Sequence, residues 1–385
     1  MTKRPAVLGL IAAALTFAWQ FATVHFNYNG NWTGLFCIRP SMPVPAFLKS
    51  ENLYLFQGTE GYDGQVYHLI AHDPWMRKGS PDAIVGAAFR YQRIFVPALA
   101  WTLALGNDSR IHAAYFTVIL AFVFLGVYWC ARFAVSTGRS TAWGFVFLLA
   151  PATLVSIDRM TVDIALAAFC AGFALYADRS IWKTSIILVC AALTRETAVP
   201  IILAYAIFLI LARRFAHAMI AAATIAPAAI WHIAVSRLGP SDAPDYIKPI
   251  PFTGFVDRII HPAVYSISPL KNALALAFDY LALAGVALAF ALTIFLAFRR
   301  RWNPRAASIY ALALAAMLIG SRSVWEDAYA FGRVLTPWTL LIALEELRER
   351  PWLGLAPMLS AAPRIGLNLA FQLRGILVGL AKKCC

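Results

Sequence analysis

Apolar residues fall in long runs separated by short polar or basic stretches, near 6–26, 111–131, 142–157, 160–177, 182–194, 197–212, 216–236, 272–298, 306–320 and 334–346. A bilayer takes about 20 apolar residues to cross untilted, so the longer runs predict membrane helices and the shorter ones predict crossings where the hydrophobic layer is thin. One further run, 94–106, is short and carries Pro97 near its start. Counting it as a crossing would place Arg132/Arg139, Arg179/Lys183, Arg213/Arg214 and Arg299–Arg301/Arg305 opposite Lys3/Arg4, whereas cytoplasmic turns favour cations. It is therefore read as a re-entrant or interfacial helix, leaving ten crossings with both ends in the cytoplasm.

On this layout the non-cytoplasmic face carries the loop 27–110, the turns at Asp158-Arg159 and Arg195-Glu196, the loop 237–271 and the segment 321–333. Residues 1–346 form one transmembrane domain. The tail 347–385, with Arg364, Arg374, Lys382 and Lys383 among apolar residues, predicts an amphipathic helix on the cytoplasmic leaflet. No internal repeat or low-complexity linker divides the chain.

Composition agrees with a polytopic, all-α membrane protein: 61% of the 385 residues are hydrophobic and 14% charged, with a mean hydropathy of +0.68. The net charge of +14 is spread over inter-helix segments, without a basic stripe carrying interleaved aromatics, so topology and membrane lipids account for it and nucleic acid does not. The six cysteines show no ligand or disulfide spacing.

Ionisable side chains beside apolar helices are costly and mark a candidate site. Asp63 opens a short apolar helical pattern in the first loop, with Tyr67 and Ala71 following at four-residue steps on the same face. The outer segments add Arg90 and Arg93, Asp158 and Asp163, Arg195 and Glu196, and Arg333. Several arginines facing a few carboxylates suit an anion and a proton acceptor; each residue also has an ordinary use as a helix cap, self-satisfied ion pair or interface anchor. His68 and His72 stand at helical spacing beside Asp73, but spacing fixes no third metal ligand. The aromatic segment from Trp325 to Phe331 suits an interface belt.

The stretches GYDGQVYHLIAHDP (61–74), RYQRIFVPALAW (90–101) and LTRETA (193–198) resemble integral-membrane glycosyltransferases of the GT-C superfamily. Within it, the likeness is to bacterial glycosyltransferase-like proteins linked to cell-surface glycopolymers, and more distantly to protein O-mannosyltransferases and aminoarabinose transferases. It covers the first 200 residues best. It implies transfer of a sugar from a polyprenyl-phosphate donor to a glycan, lipid or protein acceptor, in a bacterial inner membrane with the site facing the periplasm. The first-loop Asp of such enzymes matches Asp63, and the acid of their second outer turn matches Asp158 or Asp163.

The chemistry expected of these residues is an inverting transfer with Asp63 as base and Tyr67, Arg90, Arg93, Arg195, Glu196 and Arg333 around the substrate. Asp158 and Asp163 are candidates for a metal or the acceptor; no cofactor is required, and a divalent metal stays open. A transporter or flippase of lipid-linked sugars would use the same arginines, but the chain lacks the matched halves and paired broken helices such a device favours.

Overall fold

The computed structural model describes residues 4–239, 246–265 and 267–384; Lys3, Cys385 and the middle of the 237–271 loop lie outside them. Among the described residues there are two isolated β-bridges and no strand. In chain order come α1 (Pro5–Asn27), then α2 (Asp63–His72), α3 (Ala87–Tyr91) and α4 (Phe95–Leu103) within the first loop, then α5 (Ile111–Ser136). A 3-10 segment (Thr141–Leu149) leads into α6 (Pro151–Arg159), α7 (Asp163–Tyr176), α8 (Ile181–Thr194), α9 (Ala198–Leu211), α10 (Phe215–Ala223) and α11 (Ala226–Val235). The last part holds α12 (Thr253–Ile260), α13 (Pro269–Phe298), α14 (Pro304–Leu318), α15 (Arg322–Trp325), α16 (Ala328–Glu345), α17 (Pro351–Leu359) and α18 (Ala362–Cys384).

Among the described residues, five helical stretches are long and apolar enough to cross a membrane: Pro5–Asn27, Asp108–Ser136, Phe215–Leu238, Pro269–Phe298 and Ala362–Lys382. A bent pair, Thr141–Leu149 with Pro151–Arg159, makes a sixth if taken as one span. α7, α8, α9 and α14 are apolar but short. The 94–106 run gives only the nine residues of α4, about 14 Å of helix, which cannot span.

Two expected crossings are interrupted, both at prolines. Ala150 precedes Pro151 and takes an extended conformation (φ −66°, ψ 131°), as the proline ring disfavours α geometry in the residue before it. The 142–157 run therefore bends by 60° and is 3-10 in its first half. The 216–236 run breaks at Thr224–Ile225, just ahead of Pro227 in the first turn of α11.

The buried core runs through α5, α7 and α16. Every residue of α7 except the terminal Tyr176 is buried, including its first, Asp163. α5 packs on α1, α4, α7 and the 3-10 segment, and α16 packs on α6, α7, α13, α14 and α17.

The two ends of the bundle are held by different ionic sets. At one end Arg305 pairs with Asp178 (2.6 Å) and Glu345 (2.8 Å), Arg299 and Arg301 pair with Glu349, and Arg139 donates to the Leu347 carbonyl (3.1 Å). The clusters expected to share a side thus include Arg139, Arg299, Arg301 and Arg305 in one place. Arg333 stands twelve residues before Glu345 in α16, about 18 Å away along the helix, and meets the outer-segment carboxylates.

A buried acid within α13 ties four helices together. Asp279 accepts from Arg258 of α12 (3.0 Å), Tyr265 (2.5 Å) and the Ala328 N–H that opens α16 (2.9 Å), and Arg364 of α18 lies 3.4 Å away. The last contact draws the tail into the bundle. α17 folds back along α16, and α18 then packs at the end that holds the candidate site, with Arg364 on Asp327 (3.0 Å) and Gln372 on Asp158 and Tyr28. Its buried polar positions, Arg364 and Gln372, meet their carboxylate partners there.

Candidate functional site

α2 begins at Asp63, with Tyr62 extended before it (φ −144°, ψ 171°), so a carboxylate sits in the first turn where the helix dipole favours negative charge. Gly64 lets α2 approach closely: a Cβ there would meet the Arg159 carbonyl oxygen at 2.1 Å and that of Phe36 at 2.9 Å. Tyr67 and Ala71, on the Asp63 face, are fully buried.

Eight of the nine sequence-predicted residues meet in one network. Asp63 pairs with Arg90 through one oxygen and with Arg333 through the other (2.8 Å). Arg333 also lies 3.3 Å from Asp163, which pairs with Arg195; Arg195 lies 3.5 Å from Glu196. Glu196 takes a two-pronged pair of bonds from Arg93 (3.0 and 2.7 Å), and Arg93 donates to the Tyr67 hydroxyl (3.2 Å). Four guanidinium groups thus face three carboxylates, one positive charge in excess.

Arg93, Arg195, Arg333 and Asp163 are buried, whereas Asp63 and Arg90 are partly open to a cavity of about 340 Å³ that also touches Arg39, Glu60 and Gln65. Burial alone would raise the Asp63 carboxyl, but Arg90, Arg333 and Arg93 outweigh it and hold the group well below the usual carboxylate range. Packing around the partly exposed Glu196 carboxyl opposes its ionisation, yet Arg93 and Arg195 pull it down to about 2. Arg195 is lowered to about 10 by burial and repulsion from Arg93, with Arg333 adding to the latter and Glu196 opposing. Two buried donors, Nε of Arg195 and Nε of Arg333, have no aligned hydrogen-bond acceptor, while the Nη1 atoms of the same side chains lie against Asp163 and Asp63. Such donors are expensive to leave unmet and suit an anion that arrives with oxygens in the right directions.

Asp158 is the residue that stands apart. It is held by Arg159 (3.1 Å), the Tyr329 hydroxyl (2.5 Å) and Gln372, one aromatic contact away from the network through Tyr62 and Tyr329. Both Asp158 and Asp163 already face guanidinium groups, an unfavourable setting for a divalent cation.

Two further expectations change. The carboxylate of Asp73 does not join His68 and His72; it accepts from the backbone of Arg77 (2.6 Å), Lys78 (2.8 Å) and Ser80 (3.2 Å), which fixes the turn after α2. The Trp325–Phe331 segment is not a surface belt, because Trp325, Tyr329 and Phe331 are buried, with Trp325 donating to the Ile319 carbonyl (2.8 Å).

Sequence reasoning passed over Tyr62, whose ring lies 5.0 Å from the Arg333 guanidinium, and Gln372. It also passed over Asp279, though a single acid inside a long apolar run is a signal that can be read from sequence. No family model, curated protein or solved structure matches the chain.

Proposed function

We propose that the chain is a membrane glycosyltransferase of GT-C type, with a periplasmic site, that moves a sugar from a polyprenyl-phosphate donor to a hydroxyl acceptor with inversion. The observation that carries this reading is the cluster of four arginines around the partly open Asp63, in which the buried Nε donors of Arg195 and Arg333 lack aligned acceptors. A departing phosphate needs cations in a forked, preorganised geometry.

Asp63 held by two arginines is a weak base, since its proton affinity is low. A phosphate docking on Arg90 and Arg333 draws those cations from the carboxylate and raises its affinity for a proton. In the reaction the acceptor oxygen bonds to the anomeric carbon as the bond to the donor phosphate breaks, Asp63 takes the hydroxyl proton, and polyprenyl phosphate leaves onto the guanidinium groups. Base strength thus rises only when donor is present, which guards against idle hydrolysis. A groove of about 440 Å³ between α13 and α18, with Leu274 and Phe371 on its walls, has the apolar composition that suits a polyprenyl chain.

Purified protein is incubated with a panel of polyprenyl-phosphate sugars and polyprenyl phosphate release is followed in wild type and Asp63→Asn. The expected result is release by wild type and a fall of roughly 10²–10⁴ in the variant. Release that persists in the variant removes Asp63 from the chemistry. Movement of intact donor between leaflets without release supports a flippase instead.

A further inference from the structure

On the other side of α2 from the arginine network, four side chains from three parts of the chain converge. His68 and His72 stand one helical turn apart, His112 is the second residue of α5, and Glu51 comes from the first loop. One nitrogen or carboxylate oxygen from each of the four lies within 4.8 Å of those of the others. His68 Nε2 is 2.7 Å from His112 Nε2, and Glu51 carboxylate oxygens lie 3.3 Å from His112, 3.8 Å from His72 and 4.0 Å from His68. A tetrahedral ion with bonds of about 2.0–2.1 Å to nitrogen sets its ligand atoms roughly 3.3 Å apart, within this spread.

The bland alternative is a hydrogen-bonded cluster of histidines, and the polar atoms argue against it. His68 and His72 are fully buried, yet His72 Nε2 and Glu51 Oε2 have no aligned hydrogen-bond partner. His72 Nδ1 lies 2.9 Å from Asp108 Oδ1, so its proton belongs on that nitrogen and the lone pair of Nε2 is left facing the cluster. A carboxylate behind an imidazole in this way is the usual support of a metal-ligating histidine. Phe36 packs 4.6 Å from the His68 ring and keeps that side apolar. A cavity of about 890 Å³ that reaches both Glu51 and His112 gives an ion a way in.

We propose that Glu51, His68, His72 and His112 bind a divalent transition-metal ion of the zinc class. Three imidazoles and one carboxylate favour zinc, cobalt, nickel or copper over magnesium or calcium, whose preferred ligands are oxygens. Four protein ligands leave no open position, so the site is structural: it fastens the first loop and α2 to α5. This assignment is independent of glycosyl transfer. It does bear on the arginine network, because α2 is the helix that presents Asp63.

The test uses full-length protein purified without a polyhistidine tag, stripped with chelator and titrated with Co²⁺ and Zn²⁺. Wild type is expected to hold about one ion per chain and to give the strong visible absorption of four-coordinate Co²⁺. His112→Gln and Glu51→Gln, chosen because both side chains are partly exposed (24% and 18%) and their loss spares the fully buried pair, should abolish both signals. Asp108→Asn should weaken Zn²⁺ binding by about 10–100-fold without removing a ligand. Monodisperse, helical wild-type protein that takes up neither ion overturns the proposal, as does binding left intact in both Gln variants.

Discussion

Arg333 Nη1 lies 2.8 Å from Asp63 Oδ2, so the guanidinium of a late helix closes on the first residue of α2. The same nitrogen lies 3.3 Å from Asp163, and Arg333 thereby joins three separate segments at one buried point. Removing it leaves each acid with a single guanidinium, Arg90 on Asp63 and Arg195 on Asp163.

Arg333→Ala should destabilise the protein by about 3–5 kcal/mol, the range seen when one partner of a buried ion pair is deleted. Arg333→Lys should recover part of this, since a single ammonium cannot serve both acids with a guanidinium's geometry. Thermal unfolding in detergent reads both; a wild-type melting temperature in the Ala variant contradicts the assigned role.

Acid should weaken the Arg93–Glu196 link in a defined window. The Glu196 carboxyl is depressed in the fold, from an ordinary 4.5 to about 2, so its contribution is complete above the unfolded value and is lost as pH falls towards the folded one. Wild type should lose stability between about pH 4.5 and 2 more steeply than Glu196→Gln, which lacks the titrating group. Parallel curves would contradict this.

Gly64→Ala should be costly although glycine is normally the weaker helix former. The added methyl would meet the backbone oxygen of Arg159, which cannot swing away as a flexible side chain can. Overpacking of this kind costs about 1–3 kcal/mol, and because Gly64 adjoins Asp63 the substitution should also weaken donor binding. Measuring stability and donor affinity together separates this from a simple loss of fold.

Asp279→Ala should loosen α12, α13, α16 and α18 together by leaving Arg258 without its buried carboxylate partner. A loss of about 3–5 kcal/mol is expected, with faster proteolysis of the α17–α18 region. Unchanged proteolysis with normal stability would show that Arg258 and Arg364 find other partners.

The membrane character, most helix positions and the residues of the arginine network were legible because each leaves a local mark. Apolar runs are set by the bilayer, and Asp63, Arg93, Arg195 and Arg333 stand out as charges beside such runs. The interruptions at Ala150–Pro151 and Thr224–Ile225 were also written locally, in prolines, but hydropathy alone merges the pieces on either side. The placement of α18 was not legible. Arg364 and Gln372 look like surface residues of an amphipathic helix, and only tertiary contact with Asp327 and Asp158 makes them interior. The His/Glu group was half legible, since His68 and His72 share a helix face while Glu51 and His112 arrive from distant sequence.

Because Arg333 follows Asp63 and Asp163 by so much sequence, the ribosome delivers the acids well before the guanidinium that bridges them. During synthesis Asp163 must wait, with Arg195 alone beside it, until α16 is inserted. Nascent chains cut short of Arg333 should therefore balance their charges but lack the bridge between α2 and α7, and be favoured targets of membrane quality-control proteases.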